Sequence, residues 1–264
     1  MSLDRKNKYE NVSLVAFYGH KPPPLINLIQ KLQEAIANHS LIQNQFIPYQ
    51  LKQVHGTIIG CEGIVTESGI ISHWFHYKRR ENRYLDFAGL IDYLHNQINF
   101  PLTIRLGGYN RQQEYNFHSR EQHLYLRSFQ LQESAEQTIP VLIGWSWRKE
   151  LISLEIDNLR RNLQQFNLLH KYHDPPEAVD NDFYLRLGTI NSRLTSPERE
   201  AVATDLRNLL ETQPALDIPI NLPDLAFAQY QDLLLTPATT KIFPVGAITA
   251  KQLEELYFES VNNP

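Results

Sequence analysis

Residues 54–60 read Val-His-Gly-Thr-Ile-Ile-Gly, a β-prone run that places a histidine and a threonine two positions apart. Side chains alternate between the two faces of a strand, so His55 and Thr57 are predicted to point to the same face. A histidine beside a hydroxyl group can hold a phosphate, and its imidazole can transfer a proton near neutral pH. The pattern is short, and an ordinary hydrogen-bonded histidine at the surface or in the core also explains it.

Strand-like and helix-like segments alternate on both sides of this run. The prolines at 22–24 precede a predicted amphipathic helix, and Thr249 with Gln252 predicts a capping box. Strands are predicted at 12–18, 54–60, 70–77, 102–108, 123–130, 140–147, 183–190, 225–230 and 240–243. Helices are predicted at 25–36, at 87–94, at 152–166, after an N-cap at Ser196, and after Thr249. Strand, helix and strand recur in both halves, which indicates an α+β protein with two similar lobes.

Composition limits the class of protein. Hydrophobic residues make up 42% of the 264 residues and charged residues 20%, as in ordinary soluble proteins. The net charge of -4 argues against a protein whose whole surface binds nucleic acid, although a local basic groove remains open. The single cysteine, Cys61, excludes an internal disulfide framework and a cysteine-rich zinc site. No apolar run is long enough for a membrane helix and residues 1–13 are polar, so we expect a cytoplasmic protein.

Two His-x-x-His pairs, at 73/76 and 170/173, are too sparse to predict a metal site, because a metal needs three or four converging ligands. Arg105 stands in the apolar run 102–108, where an arginine needs a partner or a solvent-facing side. Either an ion pair or a place in a ligand-binding groove accounts for Arg105. Tyr18, at the end of the first predicted strand, is a further candidate for contact with a ligand.

The order of strand, proline, amphipathic helix and His-Gly-Thr-Ile resembles the first half of the two-histidine (2H) phosphoesterase superfamily, which has the LigT-like fold. The later half is similar too, because a helix over 151–169 leads through a loop into a strand at 182–190. The segment 225–230 resembles the closing elements of that family. The resemblance implies a single α+β domain over residues 1–264 that is bilobed and pseudo-symmetric. In this fold, antiparallel sheets line a central groove and helices lie outside.

The second motif departs from the family pattern. Tyr184 stands where the second histidine is expected and Arg186 where the second threonine is expected, and alternation places both on one face. Tyrosine is a poor acid or base because its ordinary pKa is about 10, and a cation such as Arg186 is expected to lower that pKa. Arg186 can itself hold a phosphate through a two-pronged, charge-assisted contact. A surface pair without a ligand is the alternative.

The resemblance implies a metal-independent phosphoesterase that uses no cofactor and acts on a cyclic phosphate of a nucleotide or an RNA end. The candidate catalytic residues are His55 and Tyr184, and the candidate substrate-binding residues are Thr57, Arg186, Tyr18 and Arg105. Because the second motif is altered, the alternative is an impaired module that binds a nucleotide or a phosphate on the same fold. A scaffold for protein interaction is a third hypothesis.

Overall fold

The computed structural model describes residues 11–133 and 137–259. The strands are β1 Val12–Ala16, β2 Phe46–Pro48, β3 Gly56–Gly60, β4 Gly63–Thr66, β5 Gly69–Ser72, β6 Leu102–Leu106, β7 Phe129–Glu133, β8 Thr138–Arg148, β9 Leu151–Ile152, β10 Asp182–Arg186, β11 Gly188–Ile190, β12 Leu216–Ile220, β13 Leu225–Tyr230 and β14 Thr240–Pro244. The α-helices are α1 Pro23–Ala37, α2 Phe87–Asn96, α3 Leu124–Arg127, α4 Glu155–Asn162, α5 Ser196–Thr212 and α6 Ala250–Glu259. A π-helix spans Phe75–Arg79, and 3₁₀-helices span Leu163–Phe166 and Leu222–Asp224.

Within the described ranges, twelve strands form one antiparallel sheet, which curls into a half-barrel with the helices outside. The main path runs β12-β6-β8-β10-β3-β1-β13-β14, and β4 pairs with β5 in a separate hairpin. The α+β class, the antiparallel pairing and the outside helices predicted from the sequence are confirmed. Strands from both halves of the chain belong to one continuous sheet, whereas separate sheets on either side of a groove were predicted.

The helices begin where local chemistry permits. Prolines 22–24 open α1, whose buried residues recur at helical spacing and face the core. Thr195, one residue before the predicted Ser196, is the N-cap of α5 and forms a capping box with Glu198. The predicted box before α6 is confirmed, since Thr249 Oγ1 accepts the Gln252 N–H at 3.2 Å. In the described part of the chain, no helix has both the length and the apolar character to cross a bilayer.

Two predicted strands are partly wrong. The strand predicted over 70–77 ends at Ser72, and a π-helix follows because Phe75 turns into the core. The strand predicted over 123–130 begins as α3, because the His123 side chain accepts the Tyr125 N–H at 3.1 Å and caps a helical turn. Aromatic residues favour strands only where the pleated surface packs, so tertiary contacts decide both segments.

The sequence did not predict β2, β4, β9 and β12. The strand β12 contains Pro219 and lies at the end of the main sheet path, where a missing backbone N–H is tolerated. The long helix predicted over 152–166 is divided, with α4 ending at Asn162 and a 3₁₀ turn continuing to Phe166. Proline and short length hide such segments from a pattern based on periodicity.

The strands β3 and β10 are hydrogen-bonded neighbours, with Leu185 directly opposite Gly56. A methyl group at Gly56 would lie 2.0 Å from Cζ of Phe183, whose ring is buried. We expect Gly56→Ala to lower the free energy of unfolding by roughly 1–3 kcal/mol, because the ring or the strand must shift.

Urea denaturation measures this loss, and Gly246→Ala is the control. A methyl group at Gly246 would meet no atom within 4 Å. Equal stability of the two variants would contradict the close approach of Gly56 to Phe183.

Candidate functional site

The pairing of β3 with β10 brings the two sequence motifs side by side. Because Leu185 faces Gly56 across the ladder, the residues on either side of this pair alternate to the opposite face of the sheet. Thr57 lies on β3 and His55 immediately precedes this strand, whereas Tyr184 and Arg186 lie on β10. All four side chains line the same cleft. The motifs therefore lie on adjacent strands of one sheet.

The cleft has a volume of about 190 Å³, well above the roughly 10–15 Å³ that one water needs. Its lining carries more cationic than anionic side chains. The cations are Arg120, Arg160, Lys171 and Arg186, and the carboxylates are Glu62 and Asp180. Aromatic residues share the walls, among them Trp74, Tyr172 and Tyr230. Such a cleft suits a ligand that has both an anionic group and a planar ring.

His55 immediately precedes β3 and presents one defined face to the cleft. Its Nδ1 lies 2.6 Å from the carbonyl oxygen of Gln53, which can only accept, so Nδ1 carries the proton and Nε2 is the acceptor. Burial lowers the pKa of His55 to about 4, and the positive charges of Arg186 and Lys21 act in the same direction. The hydrogen bond to Gln53 opposes this shift. At neutral pH the imidazole is therefore neutral and able to accept a proton.

The ring of Tyr18 packs against the imidazole of His55. The two rings are 5.6 Å apart between centroids and inclined by 43°, and the Tyr18 hydroxyl donates to the carbonyl of Leu235 at 3.0 Å. The sequence predicted that Tyr18 contacts the ligand. Among the described residues Tyr18 is not part of the cleft lining, and it contacts the imidazole instead.

Arg186 lies beside His55 with its guanidinium partly exposed. One of its Nη1–H groups donates to the carbonyl of Leu233 at 3.0 Å, which fixes the direction of the side chain. A guanidinium has five N–H donors, so donors remain for an anion in the cleft. Arg186 therefore lines the cleft with donors to spare, and its role in holding a phosphate stays a prediction.

Tyr184 is engaged on both sides of its hydroxyl. The hydroxyl donates to Oδ2 of Asp182 at 2.7 Å and accepts from Nη2 of Arg127 at 2.8 Å. Burial and the negative charge of Asp182 raise the pKa of Tyr184 well above its ordinary value, although Arg127 and Arg120 oppose the shift. From the sequence, Arg186 was expected to lower this pKa, and the structure gives the opposite direction. A hydroxyl fixed in this way is unsuited to proton transfer.

Asp182 is the centre of a buried polar network that the sequence analysis did not identify. Its Oδ1 accepts from Ser119 Oγ and from Trp145 Nε1, both at 2.6 Å. Its Oδ2 accepts from Arg127 Nη2 at 2.7 Å, and both side chains are nearly inaccessible to solvent. A buried charge needs such partners, so a carboxylate at the start of an apolar strand was the signal available in the sequence.

Arg160, on α4, connects the two strands that carry the motifs through hydrogen bonds. The sequence did not predict this role. Its guanidinium donates to the carbonyls of Ile58 at 2.7 Å and Thr57 at 3.2 Å on one strand. It also donates to the carbonyls of Asp180 at 2.7 Å and Asp182 at 3.0 Å on the other side. One buried side chain therefore holds both halves of the candidate site in register.

A pair formed by His170 and Asp180 lines the cleft near Arg160. His170 donates from Nε2 to Oδ2 of Asp180 at 2.7 Å. Burial, with the charge of Arg160, lowers the pKa of His170 to about 3, so its imidazole is neutral at pH 7. The described residues include no group of three or more His, Cys, Asp or Glu side chains that could hold a metal ion.

Arg105 does not contribute to the cleft. It lies on β6 and makes two hydrogen bonds, at 2.6 and 2.7 Å, to the carboxylate of Asp217 on the neighbouring β12. Its guanidinium also stacks 3.7 Å from the ring centroid of Trp147. An ion pair therefore explains the arginine in an apolar strand, and the predicted role of Arg105 in binding substrate has no support in its position.

The comparisons with known proteins identify no family. No family model matches the chain, and no curated protein matches it. A solved structure that matches is described as the crystal structure of TT0787 of Thermus thermophilus. It is 10% identical, covers 90% of this chain and 100% of its own, and has a TM-score of 0.41. A similarity at this level says nothing about function.

Proposed function

We propose that the protein is a metal-independent phosphoesterase that opens a cyclic phosphate on a nucleotide or an RNA end. The observation that carries the proposal is that His55, neutral and with its proton on Nδ1, lines one cleft together with Thr57 and Arg186. A proton acceptor, a hydroxyl group and a guanidinium are the groups that phosphate binding and hydrolysis require.

In the proposed reaction, His55 Nε2 takes a proton from water while the water oxygen forms a bond to phosphorus. The bond from phosphorus to one ring oxygen breaks, and that oxygen takes a proton from solvent in the open cleft. Arg186 and Thr57 hold the non-bridging oxygens. The imidazolium then returns its proton to solvent, so the net change is the addition of one water molecule to form a phosphate monoester.

The resemblance to two-histidine phosphoesterases supports this proposal at the first motif only. His55 and Thr57 have the order and the shared face of that motif. At the second motif, Tyr184 has its hydroxyl bound to Asp182 and Arg127. The bilobed LigT-like architecture is likewise part of the proposal and not of the described fold, because the twelve strands of the main sheet are continuous.

The second candidate function is a binding module that holds a nucleotide or RNA end without turnover. The observation that favours it is that the Tyr184 hydroxyl is hydrogen-bonded to Asp182 and Arg127. The second motif then lacks a group that can donate a proton to the leaving oxygen. The cationic lining of the cleft serves binding equally well in both cases.

Incubation with the four 2′,3′-cyclic nucleoside monophosphates and with an RNA oligomer that ends in a 2′,3′-cyclic phosphate tests the proposal. We expect a phosphate monoester to appear in ³¹P NMR spectra. Calorimetry with the same compounds distinguishes the two candidates. Binding without product would support the module, and neither binding nor product would refute both.

The pKa of His55 gives a prediction for pH dependence. The neutral imidazole is the active form, so kcat/KM should fall only as pH decreases through about 4. Arg186→Gln removes a positive charge that lowers this pKa, so the acid limb should move to higher pH. NMR titration of the His55 ring measures the same shift without activity.

Arg105→Gln is the control, because Arg105 lies outside the cleft beside Asp217. It should leave the titration of His55 unchanged. A His55 ring that titrates near 6.5 in the unmodified protein would show that the imidazole is not held in the neutral form.

A further inference from the structure

The second end of the cleft is formed by Glu62 and Trp74, which the proposed reaction does not use. Strict alternation from His55 and Thr57 would direct residues 59 and 61 into the cleft. Between β1 and β3 the register shifts, since Val15 pairs with Thr57 and Leu14 pairs with Ile59. This bulge reverses the alternation, so Gly60 and Glu62 line the cleft instead.

Gly60 makes room for the Glu62 carboxylate. A methyl group at Gly60 would lie 2.3 Å from Oε2 and 2.7 Å from Oε1 of Glu62, so the carboxylate occupies the space that any other residue would fill. Trp74 donates its Nε1–H to Oε2 at 2.7 Å. The carboxylate therefore lies in the space left by the missing side chain of Gly60, and Trp74 orients it through a hydrogen bond.

Trp74 lies next to a rare type of backbone structure, a π-helix. It immediately precedes the π-helix Phe75–Arg79, and π-helical turns are rare and frequent at functional sites. Its ring contacts His73 edge to face at 4.8 Å and Tyr77 at 6.3 Å between centroids. The indole that donates to Glu62 therefore has an aromatic neighbour on each of two sides of the same segment, His73 and Tyr77.

Glu62 is a half-buried carboxylate in the lining of the cleft. Trp74 is its side-chain hydrogen-bond donor, and Lys171 acts on it as a positive charge. Burial raises the pKa of Glu62, while hydrogen bonds from the Glu62 backbone and from Trp74, and the charge of Lys171, oppose the shift. A carboxylate so placed is suited to accept hydrogen bonds from a ligand.

The length of β3 separates Glu62 from the phosphate end of the cleft. At about 3.3 Å per residue, Gly60 lies roughly 10 Å along the strand from Thr57, which contacts the phosphate in the proposed complex, and farther from His55. Glu62 is therefore too far away to act on the phosphate that His55 contacts. The separation is of the order of a nucleotide measured from its phosphate to the far edge of its base.

We propose that Glu62 is a specificity residue that recognises guanine in a nucleotide whose phosphate lies at His55, Thr57 and Arg186. Guanine presents two adjacent donors, N1–H and the N2 amino group, which one carboxylate accepts together. Adenine and cytosine place an acceptor beside their amino group, and uracil has a single donor between two acceptors. A site built to accept N–H groups discriminates strongly against analogues that lack them. The inference rests on the proposed binding of a nucleotide phosphate.

Calorimetry with guanosine, adenosine, cytidine and uridine 3′-monophosphates tests the inference. We expect the guanosine compound to bind at least tenfold more tightly than the others. Glu62→Gln replaces one acceptor oxygen by a donor. It should therefore raise the Kd of guanosine 3′-monophosphate by roughly 10- to 100-fold and change the Kd of the other three compounds by only a few fold. Glu254→Gln, an exposed change on α6, is the control and should alter none of the four.

The test separates this inference from the proposed function. Arg186→Ala should weaken all four monophosphates alike, because it removes a phosphate contact and leaves the base contact. Equal affinity for the four bases, preference for adenine, or no effect of Glu62→Gln would overturn the role of Glu62, even if cyclic phosphates are hydrolysed. A guanine preference that Glu62→Gln removes would support it, even if no hydrolysis is seen. Circular dichroism and the Tm of each variant show that the fold is retained.

Discussion

His55→Asn should lower kcat for a 2′,3′-cyclic nucleotide by roughly 10²–10⁴-fold, the usual effect of losing a proton-transfer group. The asparagine amide can donate to the Gln53 carbonyl as Nδ1 does, so the loop before β3 keeps its hydrogen bond. It provides no acceptor with the basicity of Nε2. We therefore expect Kd for the nucleotide to change by only a few fold, because Thr57 and Arg186 remain.

The matched control is His39→Asn, because His39 lies just after α1 beside Asp205 and does not line the cleft. Turnover of the control should equal that of the unmodified protein. Unchanged turnover in His55→Asn would place the catalytic base elsewhere and remove the central residue of the proposal.

Asp182→Ala should lower the free energy of unfolding by roughly 3–5 kcal/mol, since removing one partner of a buried ion pair leaves the other charge uncompensated. Arg127 is the charge left behind, because its Nη2 lies 2.7 Å from Oδ2 of Asp182 and both side chains are buried. Ser119 Oγ, Trp145 Nε1 and the Tyr184 hydroxyl also lose their acceptor. Urea denaturation measures the loss.

Asp217→Ala is the matched control. The pair of Asp217 with Arg105 has equally short hydrogen bonds, but Asp217 is much more exposed. An exposed pair contributes only about 0–1 kcal/mol. Similar losses of unfolding free energy in the two variants would show that the Asp182 network stabilises the fold no more than a surface ion pair does.

Alternation along strands was enough to predict part of the candidate site. His55 and Thr57 share a face with each other, as do Tyr184 and Arg186, and all four line the cleft. Periodicity fixes which face a residue occupies, but it does not fix which strands are neighbours. The position of Arg105 shows this limit, because its partner Asp217 comes from a strand that contains proline and was not predicted.

Glu62 could not be predicted because a bulge is a tertiary feature. The extra residue at Ile58 arises from the pairing of β3 with β1, and the spacing of residues 55–62 does not predict it. Arg160 and Asp182 were missed for a different reason. Charged residues near helices and strand ends are normally solvated, and only the folded chain shows that these two are buried and hydrogen-bonded.

The order of strands in the sheet bears on how the chain is synthesised. β1 and β3 pair with each other, but their outer edges are completed by β13 and β10, which leave the ribosome much later. Until then, the nascent polypeptide carries two open backbone edges that can recruit strands from other molecules. Fragments that stop before residue 182 are therefore expected to aggregate, and the first half of the protein is a poor candidate for separate expression.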